Sequence, residues 1–245
     1  MTPRILLAVT SRVLIQLRRD RRTAAMLLVL PCALMTLLWW MFKDLSGDLF
    51  DRFGPGLLAL FPFIVMFLVT SVTTLRERSS GTLERLLAMP MGKLDFLGGY
   101  ALAFGVVAAV QAALAVALSV GPLGLHVAGP VWLLGLVAVA DAVLGTALGL
   151  FVSAFAQTEF QAVQFMPLFV IPQILLCGLF VPRDELPTVL HAISSVLPLS
   201  YATDAMEALV DTTATAEVWR DLGIVAGFAL AALALGAATL RRRTP

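Results

Sequence analysis

The 245-residue chain is poor in nearly everything a soluble enzyme uses: only 13% of its residues are charged, and it has two cysteines and two histidines. Cys32 and Cys177 fall in separate apolar stretches, so they read as small buried hydrophobes, not as a disulfide or metal pair. His126 and His191 lie outside those stretches with no Cys, Asp or Glu at ligand spacing, which argues against a metal centre. The chain has no G-x-x-x-x-G-K-[ST] phosphate loop. Within the apolar stretches the spans offer Asp141, scattered Ser and Thr and no His. That leaves an intramembrane enzyme little to work with.

What remains is hydrophobic. Apolar residues make up 60% of the chain and its mean hydropathy is +0.94, outside the range of soluble domains. Six long apolar blocks are readable, at about 23–42, 55–75, 96–120, 131–155, 165–181 and 220–240, each long enough for a bilayer-crossing helix. The fold expected is an all-α membrane protein with six transmembrane helices, a single domain over 1–245. An N-terminal signal peptide is not expected, because 23–42 is too long and ends in Trp39, Trp40 and Met41.

Charge is sorted between the gaps. The segments on one side carry 13 basic and 5 acidic residues; those on the other carry 4 and 10. The positive-inside rule then puts both termini in the cytoplasm, with anionic lipid as the counterpart of the inner arginines. Neither nucleic acid nor a soluble acidic partner is implied.

The flanking segments read as amphipathic. Residues 2–22 repeat Ile5, Leu6, Val9, Val13 and Leu17 on one face and Arg4, Arg12, Arg18, Arg19 and Arg22 on the other, an interface helix. Between spans five and six, Leu186, Val189, Leu190, Ile193 and Leu197 form one stripe. Tyr201, Ala205, Met206 and Leu209 form another, with Ser200 the expected N-cap. Two short extracytoplasmic helices over 184–211 follow from this. Polar groups at membrane depth mark a possible path or packing sites: Thr70 and Thr73 in span two, Asp141 in span four and Gln173 in span five. Gly145 and Gly149 beside Asp141 form a G-x-x-x-G suited to close helix packing, and Gln111 suits an interhelical hydrogen bond.

Two stretches are more specific. The inner loop runs Arg76-Glu77-Arg78-Ser79-Ser80-Gly81-Thr82-Leu83-Glu84-Arg85-Leu86-Leu87-Ala88-Met89-Pro90, a charged helix with a leucine face, ended by Pro90. The second runs from Gly178 through Pro182, Leu186 and Pro187 to Pro198, Leu199, Tyr201, Asp204 and Ala205. Together these resemble the permease subunits of ABC-2-type transporters, the daunorubicin-resistance-type exporters in particular. That family carries E-x-x-x-G-T-L-E-x-L-L-x-x-P after span two, G-x-x-F/Y-P-x-x-x-L-P at the exit of span five, and then P-L-x-Y-x-x-D-A. Phe180 stands one place early, and the family's Arg soon after Asp-Ala is missing; Met206 and Glu207 follow instead.

The resemblance implies that 76–92 is a coupling helix touching an ATP-binding subunit, with Gly81, Thr82, Leu83, Glu84, Arg85, Leu86 and Leu87 at the contact. It implies that 2–22 is the connecting helix beside it. The gate would be built on Gly178, Pro182, Leu186, Pro187, Pro198, Tyr201 and Asp204. It further implies two ATP-binding subunits, which hold the ATP and Mg while this chain binds no cofactor, and a second, identical permease chain in a bacterial cytoplasmic membrane. The expected function is export of an amphipathic drug, antibiotic or lipid-like molecule. The alternative is an ion-coupled secondary transporter using Asp141.

Overall fold

The computed structural model describes residues 3–45, 49–79 and 93–239. Among them are nine α-helices: α1 Pro3–Arg19, α2 Arg21–Phe42, α3 Leu49–Ser79, α4 Lys93–Val120, α5 Val131–Ser153, α6 Glu159–Leu176, α7 Thr188–Ser194, α8 Pro198–Asp211 and α9 Ala216–Thr239. A 3₁₀ turn, Arg183–Glu185, lies between α6 and α7. Six of the helices (α2, α3, α4, α5, α6 and α9) are long and apolar enough to cross a bilayer. All four tryptophans, Trp39, Trp40, Trp132 and Trp219, sit at the same ends of their spans, the level at which a headgroup belt forms. That end carries the acidic loops; the other carries the arginines.

The core is built on α3 and α5. A Cβ added at Gly145 would stand 2.5 Å from the Phe63 carbonyl oxygen, and one at Gly149 2.5 Å from that of Phe67. The G-x-x-x-G pair therefore lets the two backbones touch, and the matching register shows that the helices run in the same direction. Phe63, Phe67, Leu134, Leu144 and Ala147 are fully buried along this seam. Helices α4 and α9 pack on the other faces of α5, while α2 and α6 lie outside against α3.

Three boundaries differ from the sequence reading. The loop expected at 43–54 is shorter, because α3 begins at Leu49 with Asp51 in its first turn and Phe53 against Phe42, ring centroids 6.0 Å apart. At its far end α3 continues to Ser79, so Arg76 and Glu77 belong to span two and not to a separate coupling helix. Span five is displaced toward the N-terminus, over Glu159–Leu176 instead of 165–181. The reason is a cap: Thr158 Oγ1 accepts from Gln161 N at 3.1 Å, and Gln161 Oε1 reaches back to Gln157 N at 2.8 Å. Pro167 and Pro172 lie inside this helix, which stops before Gly178, a residue at φ +103°.

The two short helices between spans five and six are present, with one correction. Ser200 is not the N-cap of α8; Leu197 is, and Pro198 occupies the first helical position, where its missing N–H costs nothing. The stripe of α8 is buried through Ala205, Met206 and Leu209. That of α7 is not: Val189 is 71% exposed and Ile193 41%.

Candidate functional site: two polar ends on one packed seam

At the arginine-rich end, α1 is docked on the first turns of α4. Val9 lies so close to Gly99 that a Cβ there would be 2.6 Å from Val9 Cγ1, and Thr10 Oγ1 donates to the Gly99 carbonyl at 3.2 Å. Arg12, placed on the solvated face by its periodicity, instead turns toward α3. Its Nη2 donates to Glu77 Oε2 at 3.0 Å, while Gln16 Nε2 donates to Glu77 Oε1 at 2.9 Å. Glu77 is only 6% exposed. A buried carboxylate is stable only when paired and hydrogen-bonded, and α1 supplies both. Arg76 beside it makes a bidentate pair with Glu159 at the start of α6, both bonds 3.0 Å, on an exposed surface. A cleft opens here between α1, α3 and α4, lined among others by Gln16, Asp20, Thr73, Arg76 and Glu77.

Sequence reading matched Glu77 to the motif but did not count it among the site residues. The available signal was its place as the motif's first acid. The residues expected at the coupling contact, Gly81, Thr82, Leu83, Glu84, Arg85, Leu86 and Leu87, lie outside the described residues.

Polar groups at membrane depth are buried in the seam. Thr70, Ser71 and Thr74 on α3 and both carboxyl oxygens of Asp141 have no hydrogen-bond partner among the described residues, and Thr70 and Asp141 are 0% exposed. Thr73 alone of the four candidate path residues reaches the cleft. Gln111 differs from the sequence reading: both its amide atoms are buried and neither finds the expected interhelical partner among the described residues. Gln173 does bridge helices. Its Nε2 donates to Phe169 O at 2.9 Å and its Oε1 accepts from Leu199 N at 3.2 Å, capping the first turn of α8 from α6.

At the acidic end lie the residues that the family resemblance assigns to a gate. Gly178 opens the loop after α6, Pro182 precedes the 3₁₀ turn, and Leu186 and Pro187 lead into α7. Pro198 starts α8, which carries Tyr201 and Asp204. The Tyr201 hydroxyl donates to Ser195 O at 2.7 Å. Asp204 is paired from upstream: Arg183 Nη1 bonds its Oδ2. Burial nevertheless lifts the Asp204 carboxyl to about 6, against the pull of Arg183. Burial, helped by Asp204 and Asp211, lifts Glu207 to about 7. Leu179 tucks under α3, its Cδ1 2.6 Å from where a Gly56 Cβ would stand. Beside it an open pocket is lined by Asp51, His126, Phe180, Glu207 and Asp211 among others.

Among the described residues, the arrangement offers a polar anchor at each end of a packed helical seam and no assembled nucleophile and base. Comparison with known proteins agrees with that reading. The chain is 29% identical over 169 residues to the probable multidrug ABC transporter permease YbhR of Escherichia coli, covering 69% of this chain and 46% of that protein. It is 27% identical over 170 residues to the inner membrane transport permease YhhJ of the same organism, covering 65% and 46%. With the linearmycin resistance permease protein LnrN of Bacillus subtilis it shares 26% over 186 residues, 73% and 48% of the two chains. The chain thus spans about half the length of the curated relatives it matches. The ABC-2 type transporter family matches residues 4–210, from the interface helix to the end of α8, and this multi-pass membrane protein belongs to it.

Proposed function

We propose that the chain is the membrane-spanning subunit of an ATP-driven exporter. It moves an amphipathic drug, antibiotic or lipid-like molecule out across a bacterial cytoplasmic membrane, with both of its termini inside. Two copies of a separate ATP-binding subunit hold the ATP and Mg, and a second, identical permease chain completes the path. Support for the cargo class comes from the relatives, a probable multidrug permease and a linearmycin resistance permease.

The observation that carries the mechanism is the burial of Glu77 between Arg12 and Gln16. It stands four residues before Gly81, where the coupling motif begins its G-T-L-E run. A load applied to that segment by a cytosolic motor reaches α3 directly and α1 through the Glu77 contacts. Because α3 is locked to α5 along the glycine seam, the load passes across the bilayer as motion of packed helices, not as local bending. At the far end Leu179 and α8 rest on the start of α3, so tilting α3 disturbs the acidic-end contacts. Orientation of the acidic end toward the exterior follows from the charge bias.

The test is reconstitution of the chain with an ATP-binding-cassette ATPase in vesicles. Glu84→Lys, or Gly-Ser replacement of Leu83, Leu86 and Leu87, is expected to leave the chain inserted and to abolish drug-stimulated ATP hydrolysis and transport. Unchanged coupling in both variants overturns the docking role. Transport by the chain alone, driven by a proton gradient and lost in Asp141→Asn, supports the ion-coupled reading in its place.

A further inference from the structure

Arg183 is the one base in a set of contacts that joins three separate pieces of the acidic end. It stands in the 3₁₀ turn just after Pro182, on the loop leaving α6. Its Nε donates to Ser194 Oγ on α7 at 2.8 Å, its Nη1 pairs with Asp204 on α8, and its guanidinium lies over the Tyr201 ring, 5.0 Å from the centroid. Ser194 is itself fully buried and extends the set, with Oγ 2.8 Å from Leu176 O at the end of α6 and 3.2 Å from Ser200 Oγ on α8. The Arg183 side chain is 14% exposed. A guanidinium so enclosed holds its position by its forked, charge-assisted bonds and its stacking, which a flexible ammonium does not reproduce.

The same residue lies against the turn that must change if this end is to open. A Cβ at Gly178, whose φ is +103°, would meet Arg183 Cγ at 3.6 Å and Asp204 Oδ1 at 3.9 Å. The backbone of the exit turn is thus covered by the Arg183–Asp204 pair. Directly before it, Cys177 is 1% exposed. No residue of the recognised exit motif supplies this pairing; Arg183 falls at one of its free positions.

We propose that Arg183 is the latch of the acidic-end gate: it ties the exit of α6 to α7 and α8 over the Gly178 turn, and that turn opens only when its bonds to Ser194 and Asp204 are released. The proposal rests on the reading of this end as a gate, but its test needs neither ATP nor cargo. Cys32→Ala leaves Cys177 as the sole thiol. Its reaction with a sulfonated, membrane-impermeant maleimide is followed in sealed and in permeabilised vesicles, well above the Asp204 value of about 6 so that the pair is charged.

Cys177 is expected to be nearly inert in this background and to react about tenfold faster in Arg183→Gln, the scale set by losing a charge-assisted bond. Arg183→Lys, which keeps a charge for Asp204 but loses the Nε bond to Ser194, is expected between the two. An unchanged rate in a monodisperse Arg183→Gln chain overturns the latch. Should that variant fail to accumulate, Ser194→Ala is expected to raise the rate about threefold, and no rise there overturns the proposal equally. If the latch behaves as expected but a companion ATPase with nucleotide never alters Cys177 labelling, the exporter reading fails and the latch stands.

Discussion

Helices α3 and α5 on one hand, and α2 and α6 on the other, are all long and apolar enough to cross a bilayer, yet they live in different surroundings. Inside the chain, 61% and 67% of the membrane windows of α3 and α5 are buried, against 17% for each of α2 and α6. Lipid tails are as apolar as leucine, so burial in a membrane protein is not driven by hydrophobicity. It follows from shape: α5 presents Gly145 and Gly149 to the carbonyls of Phe63 and Phe67, whereas α6 presents Leu168, Ile171 and Leu175 outward. The comparison separates a packed seam from peripheral spans, of which α6 has its polar ties at its two ends. Those ties are the Arg76–Glu159 pair at one end of α6, and Gln173 and the Arg183 contacts at the other.

The seam is where a single substitution is expected to do most damage. Gly149→Leu forces a side chain into the Phe67 backbone and is expected to cost about 3 kcal/mol or more, enough to lose the folded chain. Gly223→Leu or Gly227→Leu on α9, where an added Cβ meets nothing within 4 Å, is expected to be tolerated. Thermal unfolding of the detergent-solubilised protein compares them. Equal tolerance at both positions breaks the distinction between seam and periphery.

Next in size is the tie between α1 and α3. A double-mutant cycle with Arg12→Met and Glu77→Gln is expected to give a coupling energy of about 1–2 kcal/mol by thermal unfolding. Either single change is expected to lower drug-stimulated ATP hydrolysis in the reconstituted complex. Additive effects in the cycle, with coupling intact, make the Arg12–Glu77 contact incidental.

Much of this architecture was legible without coordinates, because each legible feature repeats locally. Apolar runs marked the six spans, and the G-x-x-x-G spacing marked the face of α5 that packs closest. What escaped depends on residues distant in sequence. Arg12 and Glu77 are 65 positions apart and Arg183 and Asp204 are 21 apart. A periodicity argument assigns such residues to a face, not to a partner. Span five was displaced because hydropathy outweighed a local cap at Thr158 that was present in the sequence. Ser200 was misassigned for the opposite reason, a good capping residue overruled by a proline two positions earlier.

The smallest expected effect sharpens the contrast between the two ends. At the arginine-rich end the buried acid Glu77 is met by both Arg12 and Gln16; at the acidic end Asp204 has Arg183 but also faces Asp221 and Arg220 on α9 and neighbours Glu207. Glu207 faces Asp204 and Asp211 on its own helix, with Asp51, Arg52 and His126 across the pocket. Folding raises Asp204 from 3.8 to about 6 and Glu207 from 4.5 to about 7. A carboxyl raised on folding binds its proton more tightly in the folded state. Its contribution to stability is therefore full below the unfolded value and is lost as pH rises through the folded one. The chain is expected to be more stable near pH 5 than near pH 8 by about 1–2 kcal/mol from these two groups, allowing for their partial exposure. Glu207→Gln is expected to remove the upper part of that dependence without touching Arg183, whereas Asp204→Asn removes the lower part and weakens the Arg183 contact as well. If the Glu207→Gln chain keeps the full pH dependence of its parent, the acidic end is as well compensated as the arginine-rich end, and the contrast between them fails.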